Sequence, residues 1–245
     1  MKGTSAMQIS DNNFPAMLGI IGGLGPMSTV YFYELLTSMT LAETDQDHID
    51  IVISSRASTP DRTAFILGES DKNPLDYMIE DAHRLIRYGA DILAIPCNTA
   101  HYFYDQLAES VDVPLLNIIY ETVAFLKKEG VERAGILATS GTIQSHTYQL
   151  MCDRFGIEYK IPSDKNQQRL SNIIYGSVKR GKPTDPIAFA EIANELKNAG
   201  CDRIILGCTE LSLIKRQVHL DDFFADSLDI LARSAIRACG KKIRS

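Results

Sequence analysis

No stretch of this 245-residue chain reaches the roughly 20 consecutive apolar residues that a helix needs to cross a bilayer, so no membrane span is expected. An excess of basic charge is missing too. The net charge is −6, which argues against a nucleic acid or an anionic membrane surface as a partner. Met1 to Pro15 lacks the apolar core of a signal peptide, and residues 1–16 read as a disordered extension on a cytoplasmic protein. The five cysteines, Cys97, Cys152, Cys201, Cys208 and Cys239, are an odd set without a CxxC spacing. Neither a disulfide framework nor a zinc site follows from them, and no metal is expected. The glycine-rich turn Gly22-Gly23-Leu24-Gly25-Pro26 lacks both the GxGxxG register and the GK[ST] ending of a nucleotide cradle. A PLP-type lysine motif is also absent, so the reading carries no cofactor. With no low-complexity tract or flexible linker, any two lobes must be closely joined.

What is present is a repeated unit. Gly89-Ala90-Asp91-Ile92-Leu93-Ala94-Ile95-Pro96-Cys97 and Gly200-Cys201-Asp202-Arg203-Ile204-Ile205-Leu206-Gly207-Cys208 share Gly-x-Asp, an apolar run and a cysteine eight positions after the glycine. The apolar runs are short, β-rich and without helical periodicity, as buried parallel strands are. Each cysteine therefore lies just past a strand's carboxyl end, where open α/β sheets bind ligands and where the next helix aims its first N–H groups. A second echo, Gly135-Ile136-Leu137 against Gly19-Ile20-Ile21, recurs at an offset of 116, close to the offset of 111 between the cysteines. Two recurring strands read as a duplicated half-domain, with chance likeness between apolar strands as the competing view.

The fold class is thus α/β, with two Rossmann-like lobes, each a parallel sheet flanked by helices, and the site between them. The expected lobes are residues 17–116 and 117–226, with a final helix over 227–239 packing back on the first. Strands are expected at 17–21, 49–54, around each cysteine run, at 113–117, 133–139 and 157–161. Helices are expected at 27–40, 74–88, 99–109, 121–128, 166–179, 185–198 and 211–215. The loop 56–71 carries Asp61-Arg62, where the arginine either grips a carboxylate or is a surface residue paired with Asp61. His101 either tunes Cys97 or is a partly exposed polar residue near a helix start.

Two thiols facing across one cleft have a definite chemistry. Placement at a helix N-terminus favours the thiolate, and both cysteines have that placement in the sequence reading. One thiolate removes a proton from a carbon while the opposing thiol returns one to the other face, which inverts a stereocentre. The carbanion-like transition state then needs N–H and hydroxyl donors, for which Asn98, Thr99 and Thr209 stand in the right turns.

Pro96-Cys97-Asn98-Thr99-Ala100-His101 and Gly207-Cys208-Thr209-Glu210 carry a resemblance to the PLP-independent aspartate/glutamate racemases, nearest to the aspartate racemases. Supporting segments are the glycine turn, Thr59-Pro60-Asp61-Arg62-Thr63, Ala138-Thr139-Ser140-Gly141-Thr142 and Tyr175-Gly176-Ser177-Val178-Lys179. The resemblance implies a homodimer acting on a small dicarboxylic amino acid, aspartate or glutamate, with Cys97 and Cys208 as the two bases. It implies that Arg62 and Lys179 hold the side-chain carboxylate, that Asn98, Thr99 and Thr209 hold the α-carboxylate or amino group, and that Thr142, Glu210 and Gly25 also contact substrate. Two other readings stay open at this point: a cysteine-dependent cis/trans isomerase of a diacid such as maleate, and a non-catalytic dicarboxylate-binding protein.

Overall fold

The computed structural model of the protein describes residues 15–244. The extension read into residues 1–16 lies outside that range except for its last two residues. In the first half, β1 (Leu18–Gly22), α1 (Pro26–Met39), β2 (Ile51–Ser55), α2 (Arg62–Ile66), α3 (Leu75–Tyr88) and β3 (Ile92–Ala94) alternate, and a 3-10 turn, Thr99–Phe103, then runs into α4 (Tyr104–Glu109). The second half begins with α5 (Ile118–Lys128), β4 (Arg133–Ala138), α6 (Ser140–Gln144), α7 (Thr147–Phe155) and β5 (Glu158–Lys160). It continues through α8 (Asp164–Ser171), α9 (Pro186–Asn198), β6 (Arg203–Gly207), α10 (Thr209–Val218), β7 (Phe224–Asp226) and α11 (Ser227–Ala238).

All the pairings within both sheets are parallel, in the orders β2-β1-β3 and β5-β4-β6-β7. The two orders match position for position, with β1 answering β4 and the cysteine strands β3 and β6 in the same place. The glycine echo between the halves has a packing cause. A Cβ on Gly19 would sit 2.7 Å from Leu93 and 3.2 Å from Leu85 of α3, and one on Gly135 would sit 2.9 Å from Leu196 of α9. A helix presses on the middle of the equivalent strand in each half, and only glycine leaves the room.

The position that β7 fills in the second sheet is nearly empty in the first. The strand expected over 113–117 shrinks to one bridge, Leu93 to Leu115. Leu93 N–H donates to the Pro114 carbonyl and Leu116 N–H donates to the Leu93 carbonyl, but Pro114 itself has no N–H to extend the ladder. Asn117 then starts α5 three residues earlier than the apolar pattern indicates, its side chain accepting from the Ile119 and Tyr120 N–H groups. The helix expected over 166–179 is broken as well. After α8 the chain widens into a π-helical turn, Asn172–Ser177, and tightens into a 3-10 turn, Val178–Arg180.

Three apolar layers hold the sheets. One lies outside the first sheet under α3 and α4, one outside the second under α8 and α9, and the largest lies between the sheets. That central layer joins β1 and β3 to β4 and β6 through α1, α5, α7 and α11. The final helix packs back on the first sheet, as the sequence reading has it, and on the second sheet as well. Its Leu228, Leu231, Ala232, Ala235 and Ile236, spaced as one apolar stripe along α11, are wholly buried.

Candidate active site

Both cysteines emerge from carboxyl ends of strands and are buried at the junction of the two halves. They line one cavity, which also takes in Leu24, Asp61, Arg62, Thr63, Asn98, Thr99, Thr139, Tyr175, Lys179, Thr209 and Glu210. Cys97 and Cys208 thus share a compartment, although the backbone around them differs.

Cys208 is the N-cap of α10, directly after β6. Its thiol donates to Glu210 Oε2 at 2.9 Å. Burial first, and the Glu210 carboxylate second, push this thiol well above its usual range, against the opposing pull of the Lys179 ammonium. This corrects the expectation that a helix N-terminus leaves Cys208 predisposed to ionise: desolvation and an adjacent anion outweigh the helix dipole. Cys97 sits one residue before the N-cap of a single 3-10 turn, so it has no α-helix N-terminus behind it.

His101 does not touch the Cys97 sulfur. Its Nδ1–H donates to the Cys97 carbonyl at 2.9 Å, and its Nε2 accepts from the Ile118 N–H at 3.1 Å. A carbonyl can only accept and an amide can only donate, so the two bonds specify one neutral tautomer. Burial pushes the His101 pKa down to about 4. The ring is a buried strut that fixes the Cys97 backbone, neither an exposed polar residue nor a proton donor to the thiol.

Arg62 is buried at the start of α2, and the alternative of a surface arginine paired with Asp61 is overturned. Asp61 instead caps α2, accepting from the Ala64 N–H at 2.9 Å. The guanidinium is gripped by backbone: it donates to the Leu24 carbonyl at 2.7 Å, to Pro60 at 2.9 Å and to Thr59 at 3.3 Å. Its Nε–H is buried without a partner, on a side chain that lines the cavity. A buried charged donor left unsatisfied is costly.

Lys179 reaches the cavity from the 3-10 turn, its Nζ 3.4 Å from Glu210 Oε1 and 5.1 Å from the centre of the Tyr175 ring. Burial opposes its charge, but Glu210 and the two cysteines outweigh that and hold its pKa raised. Tyr175, on the π-helical turn, donates to Thr63 Oγ1 at 2.7 Å and so ties the second half to the first. The break in the expected helix is what aims both side chains: Gly176 adds no packing, and the irregular turns carry Tyr175 to Thr63 and Lys179 to Glu210.

The hydroxyl residues meet as expected but bond mainly to one another. Thr99, Thr139 and Thr142 form a closed triangle of Oγ1 contacts at 2.9, 3.0 and 3.0 Å. Thr142 supports Thr99 and Thr139 from behind. The Asn98 oxygen accepts from Tyr148 at 2.7 Å, and its Nδ2 donates to Ser227 at 3.0 Å. Its amide pins the cysteine loop to α7 and α11, which leaves one N–H and one oxygen lone pair for any other partner. Thr209 opens α10, where the first N–H groups have no intrahelical acceptor. Gly25 caps α1, and a Cβ there would fall 2.8 Å from Glu210 Oε1, so its glycine makes room for that carboxylate. Thr63, Thr139 and Tyr175 are cavity residues that the sequence reading quoted inside motifs without assigning them a role. The signal for them was proximity in sequence to Arg62, Thr142 and Lys179.

The family model for Asp/Glu/hydantoin racemases matches residues 21–235 of the chain. A broad specificity amino-acid racemase of Bacillus subtilis, RacX, is 29% identical over 230 residues, covering 90% of this chain and 96% of that protein. Among solved structures, an aspartate racemase of Picrophilus torridus is similar at a TM-score of 0.80 and 30% identity, over 94% of this chain and 96% of its own. An aspartate racemase homologue from Pyrococcus horikoshii is similar at a TM-score of 0.74 and 27% identity, over 91% of this chain and 99% of its own.

Proposed function

Since the chain belongs to the Asp/Glu/hydantoin racemase family, we propose that it interconverts the enantiomers of a dicarboxylic amino acid, aspartate before glutamate, by proton transfer between Cys97 and Cys208. The observation that carries the reading is the single cavity lined by both thiols together with two cations, the buried Arg62 and the partly exposed side chain of Lys179. A dicarboxylic amino acid placed there meets a cation for its side-chain carboxylate. Its Cα lies between two sulfurs, one for each face. The partnerless Arg62 Nε–H supports the carboxylate contact, and the Thr99 and Thr139 hydroxyls with the Thr209 N–H supply donors for the charge that develops as the Cα proton leaves. The homodimer belongs to the same proposal and is checked by light scattering of the purified protein.

The test is exchange of the α-hydrogen in D₂O with each enantiomer of aspartate and glutamate, followed by optical rotation or chiral chromatography. The wild-type chain is expected to exchange and invert aspartate. Cys97→Ala and Cys208→Ala are each expected to lose racemisation by at least the order of 10²-fold to 10⁴-fold that a general acid or base supplies, with the circular dichroism spectrum intact. Full inversion in either variant rules the two-thiol reading out.

A further inference from the structure

We propose that Glu210 is a positioning residue that keeps the resting proton on Cys208, so that the substrate-free protein presents Cys208 as an acid. The inference rests on the racemase reading and adds an asymmetry to it. Cys208 Sγ–H donates to Glu210 Oε2 at 2.9 Å, while the other oxygen of the same carboxylate faces Lys179 Nζ at 3.4 Å. Cys208 and Glu210 are 4% and 5% exposed, so neither charge is screened by bulk water. The bare Cα of Gly25 leaves the space that Glu210 Oε1 occupies, 2.8 Å from where a Cβ would stand. Nothing equivalent serves Cys97. Among the described residues no carboxylate hydrogen-bonds to its sulfur, and His101 is spent on the Cys97 backbone carbonyl and the Ile118 N–H.

The consequence for a turnover can be followed proton by proton. In the direction that uses Cys97 as the base, Cys97 takes the Cα proton and Cys208 delivers its own to the opposite face. The product state then holds a Cys97 thiol and a Cys208 thiolate beside the Glu210 carboxylate. Two adjacent anions share one ammonium there, which is the costlier arrangement. After product leaves, Cys208 regains a proton from water and Cys97 gives one up, restoring the resting form. Because two enantiomers have equal free energy in water, kcat/KM must stay equal for both directions whatever Glu210 does. The asymmetry is therefore visible in the titration of the free thiols and not in a preference for one enantiomer.

The experiment uses the full chain carrying Cys97→Ala, and follows alkylation of Cys208 by iodoacetamide against pH, with peptide mass spectrometry separating Cys208 from Cys152, Cys201 and Cys239. Adding Glu210→Gln keeps the side chain's shape and removes its charge. The midpoint of alkylation is expected to move to lower pH, raising the rate near neutrality by on the order of tenfold. Adding Lys179→Met instead removes the opposing charge, and the midpoint is expected to move to higher pH. If Glu210→Gln does not fold, the Lys179→Met arm still decides. A midpoint that stays in place or moves the opposite way in either folded variant overturns the proposal. Alkylation requires no turnover, so this result is independent of whether racemisation is observed.

Discussion

Buried polar side chains around the cleft meet the cost of burial in different ways, and His101 leads to a measurable pH dependence. Its folded pKa is about 4 against an ordinary value of 6.5, so between those values the unfolded chain binds a proton that the folded chain refuses. Stability therefore rises with pH across that window: the contribution is complete above about 6.5 and is lost as pH falls toward 4. A shift of that size corresponds to on the order of 3 kcal/mol. Urea unfolding at pH 7 and pH 4.5 is expected to show that loss in the wild-type chain and to show markedly less of it in His101→Gln. An equal loss in both would remove the strut from the account. Arg62 differs because it cannot give up its charge; it places three of its five donors on carbonyls and leaves its Nε–H buried without a partner.

Short elements, not the long helices, close the cleft. α2 and α6 are five residues each, too short to be stable alone, and they persist because they lean on each other across the lobes. At their contact a Cβ on Gly141 would lie 2.9 Å from the Thr63 Cα, a backbone atom that cannot swing aside. Gly141→Ala is expected to force the helices apart, moving Arg62 and the Thr63–Tyr175 link while leaving both thiols in place. The expected cost is about 1–3 kcal/mol of stability from overpacking, with kcat/KM reduced by on the order of tenfold or more because small displacements in a positioned site are amplified. Thermal melts and steady-state kinetics on the same sample check both figures. An unchanged kcat/KM would mean that the two helices do not set the cleft's geometry.

At the scale of the whole molecule, the two sheets do not own separate cores. The central apolar layer draws on both halves, and α11 contributes its buried face to it. Ser227, at the start of α11, donates to the Leu206 carbonyl at 2.7 Å and accepts from Asn98, so the last helix also braces both cysteine loops. A chain ending at Asp226 is expected to lose its cooperative unfolding transition in circular dichroism, since both sheets would expose the layer that joins them. Retention of a sharp transition would show that the lobes are stable independently.

Local patterning by itself determined the alternation of strands and helices, the pairing of Cys97 with Cys208, and the equivalence of the two halves, because strand ends, turns and repeat offsets are properties of neighbouring residues. The Gly19 and Gly135 echo was legible for the same reason, although its cause, a helix pressed on each strand, was not. Only the tertiary structure decided the contact of Cys208 with Glu210, the burial of Arg62, the strut role of His101, the broken helix that carries Lys179 and the place of α11. Each of these depends on desolvation or on a partner far away in the chain: Glu210 and Lys179 meet Cys208 through space, and Arg62 finds Leu24 across 38 residues. Sequence spacing records which groups exist, while low dielectric and packing between the halves set their charge and direction.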